Sequence, residues 1–175
     1  MERPPSVRTK KNLYRLVVVS AVLVGLILLI SGTGKVPGQT EFIWALLKSF
    51  WTPGMAYFIG YCLPWIEIIL GVLLIFGIFP RIAAAFFLPL AAGFIANNSW
   101  AVAQGMKKLP SCASCFGIWE EYLGSLSPLG ALICDIVLLG MALVVLLLHQ
   151  ESFLNFRPWF IRRKTSGKLL PEVSP

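Results

Sequence analysis

Leu16-Val-Val-Val-Ser-Ala-Val-Leu-Val-Gly-Leu-Ile-Leu-Leu-Ile-Ser-Gly-Thr-Gly34 runs nineteen residues without a charged side chain. At about 1.5 Å per residue, that is close to the length a helix needs to cross a bilayer. A basic stretch precedes it, as in a signal peptide, and Ser31-Gly32-Thr33 supplies small residues, but no A-x-A-like cleavage site follows. The run therefore reads as an uncleaved first span over residues 16–34. Three more runs of spanning length follow at 55–79, 82–103 and 126–148. Composition agrees: of 175 residues, 57% are hydrophobic and 13% charged, with a mean hydropathy of +0.79. A soluble domain carries roughly a quarter charged residues. The expected fold is an all-α membrane protein, a bundle of four transmembrane helices.

Between the first two spans, residues 41–51 are apolar but too short to cross. Phe42, Ile43, Leu46, Leu47 and Phe50 recur at helical spacing, and Trp44 and Trp51 suit the headgroup boundary. This predicts a short interfacial helix on the membrane surface; a loop helix packed on the bundle is the alternative. Pro64 predicts a kink in the second span and a carbonyl left to accept a bond from elsewhere. Pro80-Arg81 predicts a tight reversal into the third span.

Charge gives the orientation. With four spans, both tails (1–15 and 149–175) and the Pro80-Arg81 turn share one side and hold eleven of the fifteen Lys and Arg residues. By the positive-inside rule both termini are cytoplasmic and the remaining loops face outward from the inner (plasma) membrane. The net charge of +7 thus reads as topology and lipid contact, not as nucleic-acid binding. Phe153, Phe156, Trp159 and Phe160, before Arg162-Arg163-Lys164, fit an anchor on an anionic leaflet.

The outward loop between the third and fourth spans holds Cys112-Ala-Ser-Cys115-Phe-Gly. In a pair at this spacing one sulfur can attack a disulfide and the other resolve it. Lys107 and Lys108 lie just upstream, where positive charge favours a thiolate. Disulfides persist on that side of the membrane, so the pair suits thiol exchange; a structural loop disulfide and half of a zinc site are the other readings. A closed zinc site needs four ligands and the sole histidine, His149, lies beyond another span, so no metal is expected.

Glu67 and Asp135 lie inside predicted spans, where a carboxylate is costly unless it is protonated, paired or hydrated. They read either as polar glue between helices or as proton-handling groups. Counting along the helices puts Cys62, Asn97, Asn98, Cys134 and Asp135 in one polar layer about 10 Å below the outer surface, with Glu67 near the middle. Depth leaves open which of them face each other. Cys62 and Cys134 read as small buried hydrophobes, with a second redox pair as the alternative.

Several of these residues fall into a known order. Ser31-Gly32-x-x-Lys35 closing the first span resembles the S/G-x-x-K ending of DoxX-like proteins. Glu67-Ile-Ile-Leu-Gly71-Val-Leu-Leu-Ile-Phe-Gly77, followed by Arg81 and small residues, is similar to their second and third spans. Cys112-x-x-Cys115-Phe116-Gly117 resembles the loop of the MauE (methylamine utilisation) branch. That branch often carries Arg followed by Asp or Asn early in the last span, whereas Cys134 stands at the Arg position here. The resemblance implies a four-helix membrane protein linked to thioredoxin-like partners and to maturation of secreted disulfide proteins, with Lys35 among its polar site residues.

The leading expectation is a membrane redox accessory protein that exchanges electrons with an extracytoplasmic, thioredoxin-like thiol partner through Cys112 and Cys115. Lys35, Glu67, Asn97, Asn98, Asp135, Lys107 and Lys108 would be its supporting polar residues. One rival is a non-catalytic subunit of a larger membrane oxidoreductase complex, with the cysteines as a loop staple. The other is a quinone-coupled disulfide oxidoreductase. No nucleotide loop or haem motif is visible and no cofactor is evident; a quinone is compatible, with nothing to mark its site beyond an apolar bundle with buried polar groups.

Overall fold

The computed structural model describes residues 7–106, Trp119, Tyr122 and residues 127–148. Cys112, Cys115, Lys107 and Lys108, with most of the two tails, lie outside the described residues. Among the described residues, five helices of at least nine residues follow in order: α1 (Val7–Lys35), α2 (Gln39–Leu47), α3 (Pro53–Phe76), α4 (Pro80–Ala103) and α5 (Pro128–Leu148). All except α2 are long and apolar enough to cross a membrane.

Each long helix turns one narrow stripe inward. On α3 the buried residues include Ala56, Gly60, Pro64, Glu67, Gly71 and Leu74, spaced three or four apart. On α5 they are Pro128, Ala131, Asp135, Leu138, Ala142 and Val145. Three- and four-residue steps keep side chains on one face of a helix. The other faces of α3 and α5 carry Phe58, Trp65, Ile69, Ile133 and Val137, all more than half exposed, as a lipid-facing surface requires.

Small residues set how closely the helices approach. A Cβ on Gly25 would lie 2.8 Å from the Gly71 carbonyl oxygen, and one on Gly71 would lie 2.8 Å from the Gly25 carbonyl oxygen. One turn pair further along, a Cβ on Gly32 would meet the Pro64 carbonyl oxygen at 2.7 Å. No real side chain fits at such distances, so α1 and α3 touch backbone to backbone, as glycine permits between membrane helices. As residue numbers rise on α1 they fall on α3, so the two helices are antiparallel. α4 and α5 are antiparallel as well: Asn98 meets Asp135 at one end, and Arg81 Nε donates to the Leu146 carbonyl at 3.2 Å at the other. α1 also packs on α5, and the seam between α3 and α4 is the loosest of the four that close the ring.

The ends of the helices follow local chemistry. Gly77 takes a left-handed φ of 68°, and its amide and that of Ile78 donate back to Leu74 and Leu73 at 3.2 and 2.9 Å. Pro80 then opens α4, giving the reversal expected at Pro80-Arg81. At the start of α5, Ser127 Oγ accepts the Gly130 amide at 3.2 Å before Pro128, an ordinary N-cap.

The short helix α2 forms between the first two spans and packs on the bundle. Phe42 and Leu46 pack on Ala56, with Ile59, Leu63 and Trp51 around them, and Ile43 fills the notch left by Gly60. The apolar face expected to enter lipid therefore meets α3, as in the loop-helix alternative, and Trp44 alone of that helix's aromatics points away, 61% exposed. Pro64 behaves as its ring chemistry dictates. It removes the amide that would have bonded the Gly60 carbonyl, and Gln39 Nε2 from α2 donates to that oxygen at 3.2 Å instead.

Candidate functional site

The inward stripes of α1 and α3 bring a charged triangle together. Lys35 Nζ donates to Glu67 Oε1 at 2.7 Å and to Ser31 Oγ at 2.8 Å, and Ser31 Oγ donates to Glu67 Oε2 at 3.1 Å. Both carboxylate oxygens are bonded, and Ser31 both gives and takes. Lys35 and Glu67 are 2% and 0% exposed, so this is a desolvated ion pair with a closed hydrogen-bond ring. The ammonium also stands over two rings, 4.7 Å from the centroid of Phe94 and 5.4 Å from that of Phe42.

Its depth is informative. Glu67 lies fourteen residues into α3, about 21 Å from the first residue of that helix at 1.5 Å per residue. Lys35, the last residue of α1, meets it there. So α1 stops well short of the start of α3, and α2 folds back over the first turns of α3 to fill the remaining length. Lys35 is thus an interior residue, although it closes an apolar run where a base usually marks the interface.

A second polar pair joins α4 to α5. Asn98 Nδ2 donates to Asp135 Oδ2 at 2.6 Å, with the two residues 4% and 3% exposed. The expected polar layer therefore divides by direction. Asn97, one residue earlier, turns to the α2–α3 connection, where Ser49 Oγ donates to its Oδ1 at 3.0 Å. Cys134 turns from Asp135 and packs against the main apolar core. Cys62 lines the central cavity, and both cysteines are free thiols. The charge partner of Glu67 comes from α1, not from the position that Cys134 occupies. Asn98 Oδ1 is buried and has no hydrogen-bond partner among the described residues.

Both clusters border one cavity of about 280 Å³, walled by α1, α2, α3, α4 and α5. Ser31 and Lys35 face it from one side, Asn98 and Asp135 from another, and Glu67 stands behind Lys35. The cavity lies toward the end of the bundle where α4 finishes and α5 begins. Trp119, from the segment between them, donates its Nε1 hydrogen to Thr33 Oγ1 at 3.3 Å, two residues from Ser31 and from Lys35. Among the described residues no cluster of three or more His, Cys, Asp or Glu side chains is arranged to hold a metal ion.

These features define a class: a four-span membrane bundle with a buried Lys–Glu ion pair, a second buried amide–carboxylate pair and a central cavity. The family model described as methylamine utilisation protein MauE matches residues 13–148, most of the chain, and the chain belongs to that family. No curated protein and no solved structure matches it.

Two of the contacts escaped sequence reasoning. Serine at the end of a span is common, and nothing local ties Ser31 to an acid thirty-six residues away. The available signal was spacing: Val17, Ala21, Val24, Leu28, Ser31 and Lys35 form a continuous three-four stripe that carries Lys35 onto the buried face.

Proposed function

We propose that this chain is a membrane-bound thiol-redox accessory protein whose Cys112 and Cys115 exchange a disulfide with an extracytoplasmic thiol partner of the thioredoxin-like kind. The setting is the maturation of a secreted disulfide protein in methylamine utilisation, the process in the family's description. The observation that supports the reading is the hydrogen bond from Trp119, four residues after Cys115 in the sequence, to Thr33 beside the buried ion pair.

Orientation adds support. Lys35 is buried inside the bundle, so Lys48, Lys107 and Lys108 are the bases left for the cysteine side, against eleven on the other. That asymmetry favours cytoplasmic termini and an outward cysteine loop in the plasma membrane.

The exchange is balanced in thiols. One cysteine thiolate attacks a sulfur of the partner disulfide, forming a mixed disulfide and expelling a partner thiolate. The second cysteine thiolate then attacks the mixed disulfide, closing Cys112–Cys115 and releasing the second partner thiolate. Two electrons pass to the partner, and each expelled thiolate takes up a proton from water. Run backwards, the same steps oxidise the partner.

Single Cys112→Ser and Cys115→Ser variants test this. Removing the resolving thiol should leave the partner covalently trapped on the remaining cysteine, as an adduct that reductant dissolves, while the other variant traps nothing. Equal destabilisation of both variants with no adduct in either contradicts exchange and leaves a loop staple in a non-catalytic subunit.

A further inference from the structure

The central cavity opens toward the membrane. Phe58 and Ile66 on α3 line it five and thirteen residues after Pro53, about 8 and 20 Å along the helix axis. The hydrocarbon of a bilayer is about 30 Å thick, so this wall stands level with lipid tails. Phe58, Ile66 and Pro89 on α4 also belong to the exposed outer surface of the bundle. They flank its loosest seam, between α3 and α4. The cavity is therefore continuous, sideways, with the lipid-facing surface.

Its polar neighbours are turned away from it. Ser31, Lys35, Asn98 and Asp135 border the cavity, but all four are buried. Ser31 and Lys35 bond to Glu67, and Asn98 bonds to Asp135, within the helix seams. Trp51 Nε1 and Asn98 Oδ1 are buried and closed off from it as well. The oxygen of Asn97 is taken by Ser49, and Cys62 is a weak donor. What faces the space is apolar, with Leu28, Leu63, Phe87, Leu90 and Phe94 around it.

Such a wall selects its occupant. An ordered water needs two to four polar partners, which this wall does not offer. Left empty, its atoms forfeit their contacts on one side. Hydrocarbon restores those contacts, and at the seam lipid is the solvent, so its chains are supplied in excess and fill the space even at weak affinity. The volume of about 280 Å³, just under the usual ~300–1,000 Å³ of small-molecule pockets, suits part of one chain and no headgroup. Gly93 on α4 leaves a bare patch of wall, where a Cβ would meet nothing within 4 Å.

We propose that an acyl chain of a membrane phospholipid enters between α3 and α4 and fills this cavity as part of the bundle's packing. The chain passes between Phe58 and Pro89 and lies against Gly93, and its headgroup stays at the membrane surface. The bound chain supplies across the loosest seam the contacts that side chains make across the others. Nothing in this assignment draws on Cys112 or Cys115, so it stands apart from the thiol-exchange reading.

The test uses the full chain purified in digitonin, a steroid detergent without a flexible alkyl chain. It is titrated with palmitoyl-lysophosphatidylcholine, with glycerophosphocholine (the same headgroup without a chain) and with geranylgeraniol, a branched chain. Binding is read by calorimetry and stability by the melting temperature. The lysolipid should bind saturably and raise the melting temperature, glycerophosphocholine should do neither, and geranylgeraniol should bind more weakly than the lysolipid. Gly93→Leu places its own side chain in the cavity. It should bind the lysolipid at least tenfold more weakly, melt above Gly93→Ala without it, and gain no stability from it. Gly93→Ala, which shares the gain in helix propensity but leaves the space open, should bind as the native chain does. Absence of saturable lysolipid binding by the native chain overturns the proposal, as does equal binding of glycerophosphocholine. Geranylgeraniol binding as tightly as the lysolipid overturns the acyl assignment. Unchanged lysolipid affinity in a folded Gly93→Leu protein places the chain elsewhere and overturns the site. Should Gly93→Leu not fold, unchanged affinity in Gly93→Val overturns it equally.

Discussion

The Ser31–Lys35–Glu67 triangle between α1 and α3 and the Asn98–Asp135 pair between α4 and α5 are equally buried, yet they are finished to different degrees. In the triangle the carboxylate oxygens each accept a bond, the hydroxyl gives and takes, and the ammonium's charge is met by a carboxylate and two ring faces. Between the pair one bond is made at 2.6 Å, and the buried amide oxygen has no partner among the described residues. A closed network fixes helix positions, because every alternative geometry breaks a bond in a medium without water. The first is the bundle's fastening, and the second leaves the Asn98 amide oxygen without a partner among the described residues.

The largest expected effect breaks the fastening. Lys35→Met leaves the Glu67 carboxylate buried without its counter-charge, and Glu67→Leu does the same to the ammonium. Each single change should cost about 3–5 kcal/mol, seen as loss of accumulation in membranes and as a collapse of the unfolding midpoint in mixed micelles. Glu67→Gln keeps a hydrogen-bonding oxygen for Ser31 but strands the Lys35 charge, so it too should be clearly less stable than the native chain.

The second cluster should be milder. Asn98→Ala takes the 2.6 Å donor from Asp135 but also deletes an acceptor that had no partner, so a loss of about 1–2 kcal/mol is expected in the same unfolding assay. A loss as large as that of Glu67→Leu would erase the distinction between the two clusters. The smallest effect belongs to the neighbouring amide. Asn97 bonds only to Ser49 among the described contacts and is partly exposed, so Asn97→Ala should cost about 0.6 kcal/mol, near the average for side-chain hydrogen bonds in membrane proteins.

That contrast between adjacent asparagines shows where sequence reading stops. The four spans, the reversal at Pro80 and the carbonyl freed by Pro64 follow from local chemistry, and each is where the residues put it. The shared depth of Asn98 and Asp135 also follows, because rise per residue is fixed. Direction around the helix does not. Successive residues differ by about 100°, so Asn97 and Asn98, or Cys134 and Asp135, share a level and face different neighbours. In spans that are apolar on every side, hydrophobicity gives no inward face to settle the matter.

Lys35 was hidden for a different reason. Its place at the end of an apolar run suggests a base at the membrane boundary. Its burial depends on α1 ending level with the middle of α3, which in turn depends on α2 packing along α3 through Phe42, Ile43 and Gly60. That is a tertiary fact. The resemblance to the S/G-x-x-K ending drew attention to Lys35 without indicating that Glu67 was its partner.

The most direct measurement is a double-mutant cycle on the ion pair. If Lys35 and Glu67 serve to hold α1 on α3, replacing both by apolar residues of similar size removes two buried charges together and leaves no charge stranded. The Lys35→Met/Glu67→Leu protein should then unfold within about 1 kcal/mol of the native chain, although each single variant loses about 3–5 kcal/mol. A double variant as unstable as the sum of the two singles would contradict a mutual pair and remove the contrast between the closed cluster and the open one.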